Sequence, residues 1–543
     1  MKVFPKRKHA LAVVLVLWAV VYLPHLGREE FQGEEGRRVL PAVRMLRTGE
    51  WIVPYVGGRA YFNKPPGINW IVAGSFALTG VQDEFTARLP SALSLLALAL
   101  LLGAGRAPWL SARGRLVAAC ALLTCVGAVA KGRQIEIEGV YMALAGLATV
   151  LWLDGWSAGR NRWWLWLPPA LLLACGGLIK GPFLAAPFYA TVLLVLHSER
   201  RLKRIFDLQH LAGVALILAI GFGWLLLARE QAGAERMSAM SGQAWRRILP
   251  ERMLWGFWAW NIVKAPLYLL PWLLFLPLAW IPYFVRQIPA GRRPTFRAVR
   301  GGMVAGFVLL CLMPGMLSRY ALPVLPLGAI VVGWVLGEHR RTVWSDGAWR
   351  ALLAVSAAGV AGVAVCVVLL AGMGRPVAGV ALEVLAATVA AAVLAVTLCA
   401  GLIRRRRELR GGPMLSLATA GVVAVSVLLY TGTVVAYVGA HDAPNRRAAA
   451  AVAEHVPPGE TAHVYDPGYE AFLFYVDRPV EYVLELDEIG ASTRYLLVSR
   501  KAAEAPAVAG RLERANLRFV DSFPVSDEPG DRFRLYATGE NDE

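Results

Sequence analysis

Charge is scarce in this sequence. Only 17% of its 543 residues are Asp, Glu, Lys or Arg, and 57% are hydrophobic, whereas a soluble globular chain carries about a quarter charged residues. That excludes an ordinary water-soluble fold. Cysteine is scarcer still. All six (Cys120, Cys125, Cys175, Cys311, Cys366 and Cys399) fall inside apolar runs and none in the polar tail, so no disulfide framework or zinc knuckle is expected. The eight histidines show no ligand spacing on one helix, and His441, His455 and His463 in the tail read as surface residues. No phosphate-binding loop of the G-x-x-x-x-G-K-[ST] kind is present, which removes support for an ATP-driven pump. Apolar and polar residues rarely alternate with period two, which argues against an outer-membrane barrel. No internal repeat is visible.

What is present is a series of apolar runs of about twenty residues separated by short charged loops, the pattern of a polytopic helical membrane protein. The net charge of +18 sits largely in those loops, so it points to membrane orientation and anionic lipid rather than nucleic acid. Lys2, Lys6, Arg7 and Lys8 precede the apolar run 10–26, and no small-x-small cleavage site precedes Arg28. The run therefore reads as an uncleaved first helix with a cytoplasmic N-terminus. Further spans are expected near 88–105, 114–130, 138–154, 163–179, 182–197, 211–228, 265–285, 301–315, 321–337, 351–372, 379–402 and 413–437. That gives about thirteen in all. Every loop this path places inside is basic, among them Arg106 and Arg113, Arg160 and Arg162, Arg200 to Arg204, Arg286 to Arg300, Arg340 and Arg341, and Arg404 to Arg407, as the positive-inside rule requires.

The same path places 27–88 outside. Residues 34–48 read as an amphipathic helix in the interface plane, with Val39, Leu40, Val43 and Leu46 on one face and Pro41 as a possible kink. Residues 67–80 read as a second short apolar piece, interfacial or re-entrant. The outside loop 229–264 holds Trp245, Trp255, Trp258 and Trp260, an aromatic belt or a flap over a lipid substrate. Residues 1–438 thus form a membrane domain and 439–543 a small polar α/β domain outside it. That domain has strands at 461–465, 472–476, 495–499, 517–520 and 533–537, and a helix at 448–455.

The outside ends of the helices collect unusual polar residues: Glu34 and Glu35, Arg133, Glu136 and Glu138, Lys180, and Arg319 with Tyr320. Ionisable residues at such positions are functional candidates. They suit displacement at a sugar carbon with a lipid phosphate leaving. Cations (Lys64, Arg37, Lys180, Arg319) would hold the phosphate charge. A carboxylate, Glu34 or Glu138, would take a proton from an attacking hydroxyl. Each residue also has a plainer reading. Glu34 is spaced i,i+3 and i,i+4 from Arg37 and Arg38, as in ordinary helix ion pairs. Lys180 and Arg319 could snorkel at helix ends, and Glu138 could favour a helix dipole.

The motif Glu34-Glu35-Gly36-Arg37-Arg38, then Thr48-Gly49-Glu50-Trp51-Ile52-Val53-Pro54, then Tyr61-Phe62-Asn63-Lys64-Pro65-Pro66 resembles the first outside loop of bacterial lipid A aminoarabinose transferases. These belong with the protein O-mannosyltransferase-like GT-C glycosyltransferases. Phe85 to Leu89, Lys180-Gly181-Pro182, Arg319 to Pro323 and Phe472 to Arg478 extend the resemblance, which is specific over 33–90 and looser elsewhere. It implies an all-α polytopic GT-C fold with a small C-terminal periplasmic domain. The implied donor is a sugar on undecaprenyl phosphate, used at the periplasmic face of the bacterial inner membrane with inversion at the anomeric carbon. Lipid A is the implied acceptor. It also implies catalytic roles at Glu34 and Glu138. Donor or substrate binding falls to Arg37, Lys64, Lys180, Arg319 and Tyr320, with Glu35 and Arg133. Glu34 and Glu138 stand where much of the family has Asp, and Asn63 where it commonly has Glu. No cofactor is required by the pattern, though two carboxylates could hold a divalent metal. A protein O-glycosyltransferase of the same fold and a lipid or sugar transporter are the alternatives. A transporter would place charges near mid-helix in paired halves.

Overall fold

The computed structural model describes residues 7–233, 254–313, 315–339, 347, 412–435, 443–490, 492–525 and 532–538. The expected spans 351–372 and 379–402, the loops at Arg340–Arg341 and Arg404–Arg407, Trp245 of the aromatic loop, Cys366, Cys399 and His441 lie outside them. The chain forms two compact units. One comprises Met1–Leu26, Asn63–Gly67 and Arg88–Ala436, and the other Gly27–Phe62, Ile68–Ala87 and Tyr437–Glu543.

The first unit is helical. Five described helices are long and apolar enough to cross a membrane: Glu84–Ala104, Ile137–Ser157, Arg162–Lys180, Leu208–Gln231 and Ser318–Glu338. Two bent pairs raise this to as many as seven. The first helix, Arg7–Tyr22, buries Val14, Val21 and Tyr22 fully, and Trp18 donates its indole N–H to the Ala92 carbonyl at 2.8 Å.

Two of the expected spans are broken. The segment 114–130 is bent by 57° between Ala112–Thr124 and Val126–Gly132, and the segment expected as one span at 265–285 is bent by 97° between Trp255–Leu269 and Trp272–Trp280. Pro271 stands at the second break, where it lacks a backbone donor and cannot continue the helix, with Pro266 and Pro277 in the two arms. The two breaks repair one another. The Val126 amide donates to the Leu270 carbonyl at 2.9 Å, and the Trp272 indole N–H donates to the Thr124 hydroxyl at 3.0 Å. Irregular backbone at membrane depth persists only where protein satisfies it.

The second unit contains a small hairpin of β1 (Tyr55–Val56) and β2 (Arg59–Ala60) and a five-stranded sheet. The sheet strands are β3 (Ala462–Tyr465), β4 (Val480–Val483), β5 (Tyr495–Ser499), β6 (Leu517–Pro524) and β7 (Arg532–Thr538), in the order β4-β3-β5-β7-β6. β3 runs parallel to β4 and β5, whereas β7 is antiparallel to both β5 and β6. Strand alternation divides the core between two faces. Leu497 packs with Val464, Leu535 and the helix Pro444–His455, and Leu496 and Val498 pack with Val508 and Leu512 of the helix Pro506–Arg514.

The strand expected at 472–476 is a 3-10 turn, Ala471–Phe474, and β4 was not expected. An apolar run that buries Phe472 and Leu473 together does not alternate, so a turn serves it better than a strand. The helix expected over 34–48 forms as Gly36–Thr48 after a 3-10 turn, Gly33–Glu35. Its buried stripe is Val39, Ala42 and Met45, rotated from the expected Val39, Leu40, Val43 and Leu46. Leu40 packs instead against the core beneath the sheet. Gly36 lies so close to Tyr469 that a Cβ would collide with the Tyr469 carbonyl oxygen. The helix is therefore packed into the α/β unit. Residues 67–80 form the short apolar helix Gly67–Thr79.

Candidate active site

In the first unit, Glu138 occupies the opening turn of Ile137–Ser157 and Lys180 the last turn of Arg162–Lys180. Lys180 Nζ lies 2.7 Å from Glu138 Oε1, and both side chains are 7% exposed. Arg319 Nε is 3.6 Å from the same oxygen. The Lys180 ammonium also sits 4.5 Å from the centre of the Tyr320 ring, a cation–π placement. Tyr141, one turn on from Glu138, donates to the Gly181 carbonyl and accepts from the Leu184 amide, each at 2.8 Å, and so fixes the turn after Lys180. Lys131 bonds to Glu136 at 2.7 Å and to Gln134 at 3.2 Å. This is possible because Gly139 lets its helix approach the Lys131 carbonyl more closely than a Cβ would permit. Arg133 is placed elsewhere, donating to the carbonyls of Val21, Tyr22 and Pro24 at the end of the first helix. Lys64 is half-buried in the bend before Gly67–Thr79.

This end of the helical unit carries two cations on one carboxylate, in a setting where lone charges would be costly. The same unit holds an apolar cavity of about 220 Å³. Ala321 and Leu322, next in the chain to Arg319 and Tyr320, line it together with Tyr268, Leu269, Trp280 and Phe307.

In the second unit, Glu34 is gripped by Arg37 (3.0 and 3.1 Å) and Arg38 (3.2 Å). These are the local pairs that the spacing allows. Glu34 is 27% exposed and Arg38 5%. The Arg37 guanidinium lies 3.7 Å from the centre of the Tyr469 ring. Asn69 donates to the carbonyls of Arg37 and Arg38, pinning this turn. Glu35 is buried and closes a capping box with Gln32.

Several polar residues that sequence reasoning passed over are central here. Glu30 accepts the amides of Asn445 and Arg446 at 3.0 Å each, capping the helix Pro444–His455, whose own N-cap residue, Ala443, makes no side-chain cap. Arg478 donates to the Val456 and Ala453 carbonyls at the other end of that helix. Buried Glu84 pairs with Arg446 and accepts from the Tyr475 hydroxyl at 2.7 Å, and that hydroxyl accepts from the Phe31 amide. Burial, reinforced by the Glu84 charge, holds the Tyr475 phenol well above its usual range. The signal available beforehand was slight: Tyr475 lies in the Phe472–Arg478 segment that resembles the family. Among the described residues no group of three or more His, Cys, Asp or Glu is arranged to hold a metal ion.

A bundle of span-length helices together with a small α/β unit is a fold shared with a solved membrane-protein structure. The particular likeness is to ArnT. The crystal structure of ArnT from Cupriavidus metallidurans bound to undecaprenyl phosphate matches with a TM-score of 0.71 at 19% identity, covering 98% of this chain and 98% of that one. The apo form of that protein gives 0.69 at 18% identity. In sequence, the chain is 27% identical over 394 residues to the undecaprenyl phosphate-alpha-4-amino-4-deoxy-L-arabinose arabinosyl transferase of Edwardsiella ictaluri (strain 93-146), covering 67% of this chain. It is 27% identical over 346 residues to the protein of that name from Pseudomonas savastanoi pv. phaseolicola, covering 60% of this chain. The matches span 65% and 61% of those relatives' own lengths. The family model for dolichyl-phosphate-mannose-protein mannosyltransferase matches residues 63–226.

Proposed function

We propose that this chain is an integral-membrane glycosyltransferase of the bacterial inner membrane. It takes a sugar, 4-amino-4-deoxy-L-arabinose in the first instance, from undecaprenyl phosphate and passes it to lipid A at the periplasmic face. The observation that carries this is the convergence of Lys180 and Arg319 on Glu138, with the residues that follow Arg319 and Tyr320 in the chain, Ala321 and Leu322, lining an apolar cavity. A phosphate with a long hydrocarbon tail needs those two features side by side. Lys180, Arg319 and Lys64 would neutralise the leaving phosphate, with Tyr320 beside it. Arg37, Glu35 and Arg133 remain assigned to substrate binding by the family motif, Arg133 acting through the helix end it caps. Glu34 and Glu138 are the catalytic carboxylates. A lipid A phosphate acceptor is already ionised and needs no strong base, so Glu34 then orients sugar or acceptor. The relatives named for undecaprenyl phosphate-linked aminoarabinose support the donor.

The proposed topology has about thirteen spans, a cytoplasmic N-terminus and the transferase domain in residues 1–438. The first loop, 27–88, and the domain 439–543 are periplasmic. A second reading is favoured by the matched mannosyltransferase family. The acceptor is then a protein hydroxyl, and Glu34 is its base. A divalent cation at the carboxylates would appear as loss of activity with a chelator.

The test is a transfer assay with undecaprenyl-phosphate aminoarabinose and lipid A, comparing wild type with Glu34→Gln and Lys64→Ala. Transfer by wild type and its loss in both variants is expected. Unchanged transfer in both variants overturns the residue assignment, and substrate flux across vesicles without transfer favours a transporter.

A further inference from the structure

The basic loops of the first unit do more than border it, because several of them enclose an open cavity of about 780 Å³. Helix Ile137–Ser157 begins at Glu138 and ends at Gly155, Trp156 and Ser157, which line this cavity. Helix Arg162–Lys180 begins at Arg162, also in the lining, and ends at Lys180. At about 1.5 Å per residue, the 21-residue helix Ile137–Ser157 separates the two sites by about the thickness of a bilayer's hydrocarbon core. If Glu138 and Lys180 stand at one water–lipid boundary, the cavity stands at the other.

Its chemistry is selective. Five arginines line it (Arg160, Arg162, Arg201, Arg204 and Arg292) against two carboxylates, Glu199 and Asp207, leaving three positive charges in excess. Lys203, in the same loop, is not in the lining. Arginine presents a planar fork of donors that matches phosphate oxygens two at a time. Asp207 holds Arg162 and Arg204 at 3.4 Å each, longer than a close charge-assisted bond. Arg292 spends its Nε on the Pro108 carbonyl and lies 3.4 Å from Glu338. Asp154, the next carboxylate along, is already held by buried Arg115 at 2.6 Å. Arg201 faces the Trp156 ring at 5.8 Å, and Trp156 is stacked on Trp152.

Two large aromatic side chains adjacent in sequence to the lining are exposed. Trp164 is 69% exposed and Phe206 72%, each within two residues of a lining residue. Such residues belong at headgroup level, where an aromatic ring meets both lipid and water. An arginine-lined cavity of this volume, with outward-facing aromatic rings close by in the chain, fits a ligand that is anionic at one end and apolar at the other.

We propose that this cavity binds the phosphodiester headgroup of an anionic membrane lipid, with Arg160 and Arg201 as its exposed contacts. The site is separate from the transfer chemistry and does not depend on that reading.

Native mass spectrometry of the detergent-solubilised full chain tests it, with dioleoylphosphatidylglycerol, dioleoylphosphatidylcholine and inorganic phosphate as probes. Wild type is expected to retain phosphatidylglycerol over phosphatidylcholine. Arg160→Gln/Arg201→Gln should weaken that retention about tenfold or more, given roughly 1 kcal/mol for each basic residue near an anionic surface. The charge-matched pair Arg200→Gln/Lys203→Gln, from the same loop but outside the cavity, should bind as wild type. Thermal unfolding of all three proteins checks that the fold is intact. As a measure free of substitutions, wild-type retention of phosphatidylglycerol should fall as salt rises. Equal loss in both variant pairs, equal retention of the two lipids, or no salt dependence would overturn the proposal. So would displacement of phosphatidylglycerol by inorganic phosphate at equal concentration, which would make this a site for free phosphate.

Discussion

Glu34 and Glu138 are both glutamates held by two cations, yet they are held in opposite ways. The partners of Glu34 are three and four residues along its own chain, and it keeps 27% of its side chain exposed. The partners of Glu138 come from two other helices, 42 residues away at Lys180 and farther still at Arg319, and it is 7% exposed. A local, partly solvated pair contributes less to stability than a buried pair between helices, which is costly to break because a charge is left in the interior. The same ionic contact is therefore a local brace in one place and a tie between helices in the other.

The largest test of that contrast is Lys180→Met. It removes the closest partner of Glu138 and should lower stability by about 3 kcal/mol or more, read as thermal unfolding in detergent. Adding Glu138→Gln should recover part of the loss, because it neutralises a buried carboxylate left with Arg319 at 3.6 Å as its nearest cation. A single variant that melts like wild type would break the contrast. Next comes Gly36→Ala, which drives a methyl into the Tyr469 carbonyl and should cost about 1–3 kcal/mol. This sharpens the comparison, because it would place the rigidity around Glu34 in backbone packing rather than in its ion pairs. Glu30→Gln should cost about 1 kcal/mol through the weakened cap on Pro444–His455, measured by hydrogen exchange at Asn445 and Arg446. Smallest in stability is Glu34→Gln, at under about 1 kcal/mol. If Glu34 serves as base, though, transfer should fall about a hundredfold or more. A stable but inactive Glu34→Gln would separate its chemistry from its role in the fold.

The sequence made some of this legible and concealed the rest for physical reasons. Apolar length located the helices Ile137–Ser157 and Arg162–Lys180 to within a few residues, because length and composition decide a span. Loop charge placed Glu138, Lys180 and Arg319 at like helix ends, and the structure brings the three together. The break in 265–285 was written in its prolines, but its repair by Val126 was not, since that bond joins residues far apart in the chain. The stripe on Gly36–Thr48 was misjudged because packing against Tyr469 and the sheet core overrode the apolar pattern. Glu30, Glu84, Arg446 and Tyr475 look unremarkable one at a time. Their meaning lies in pairings across 362 to 444 residues, which spacing rules do not reach.

Those pairings impose an order on biosynthesis. Glu30 emerges from the ribosome 415 residues before Asn445, the amide it will cap, and Glu84 precedes Tyr475 by 391. Glu30 and Glu84 must therefore wait for these partners until nearly the whole chain has been made, whereas Glu34 finds Arg37 and Arg38 at once. A stop codon just before residue 444 would leave a protein whose helical unit had been translated but whose first loop had lost Asn445, Arg446 and Tyr475. The last hundred residues act as a completion check on the first hundred.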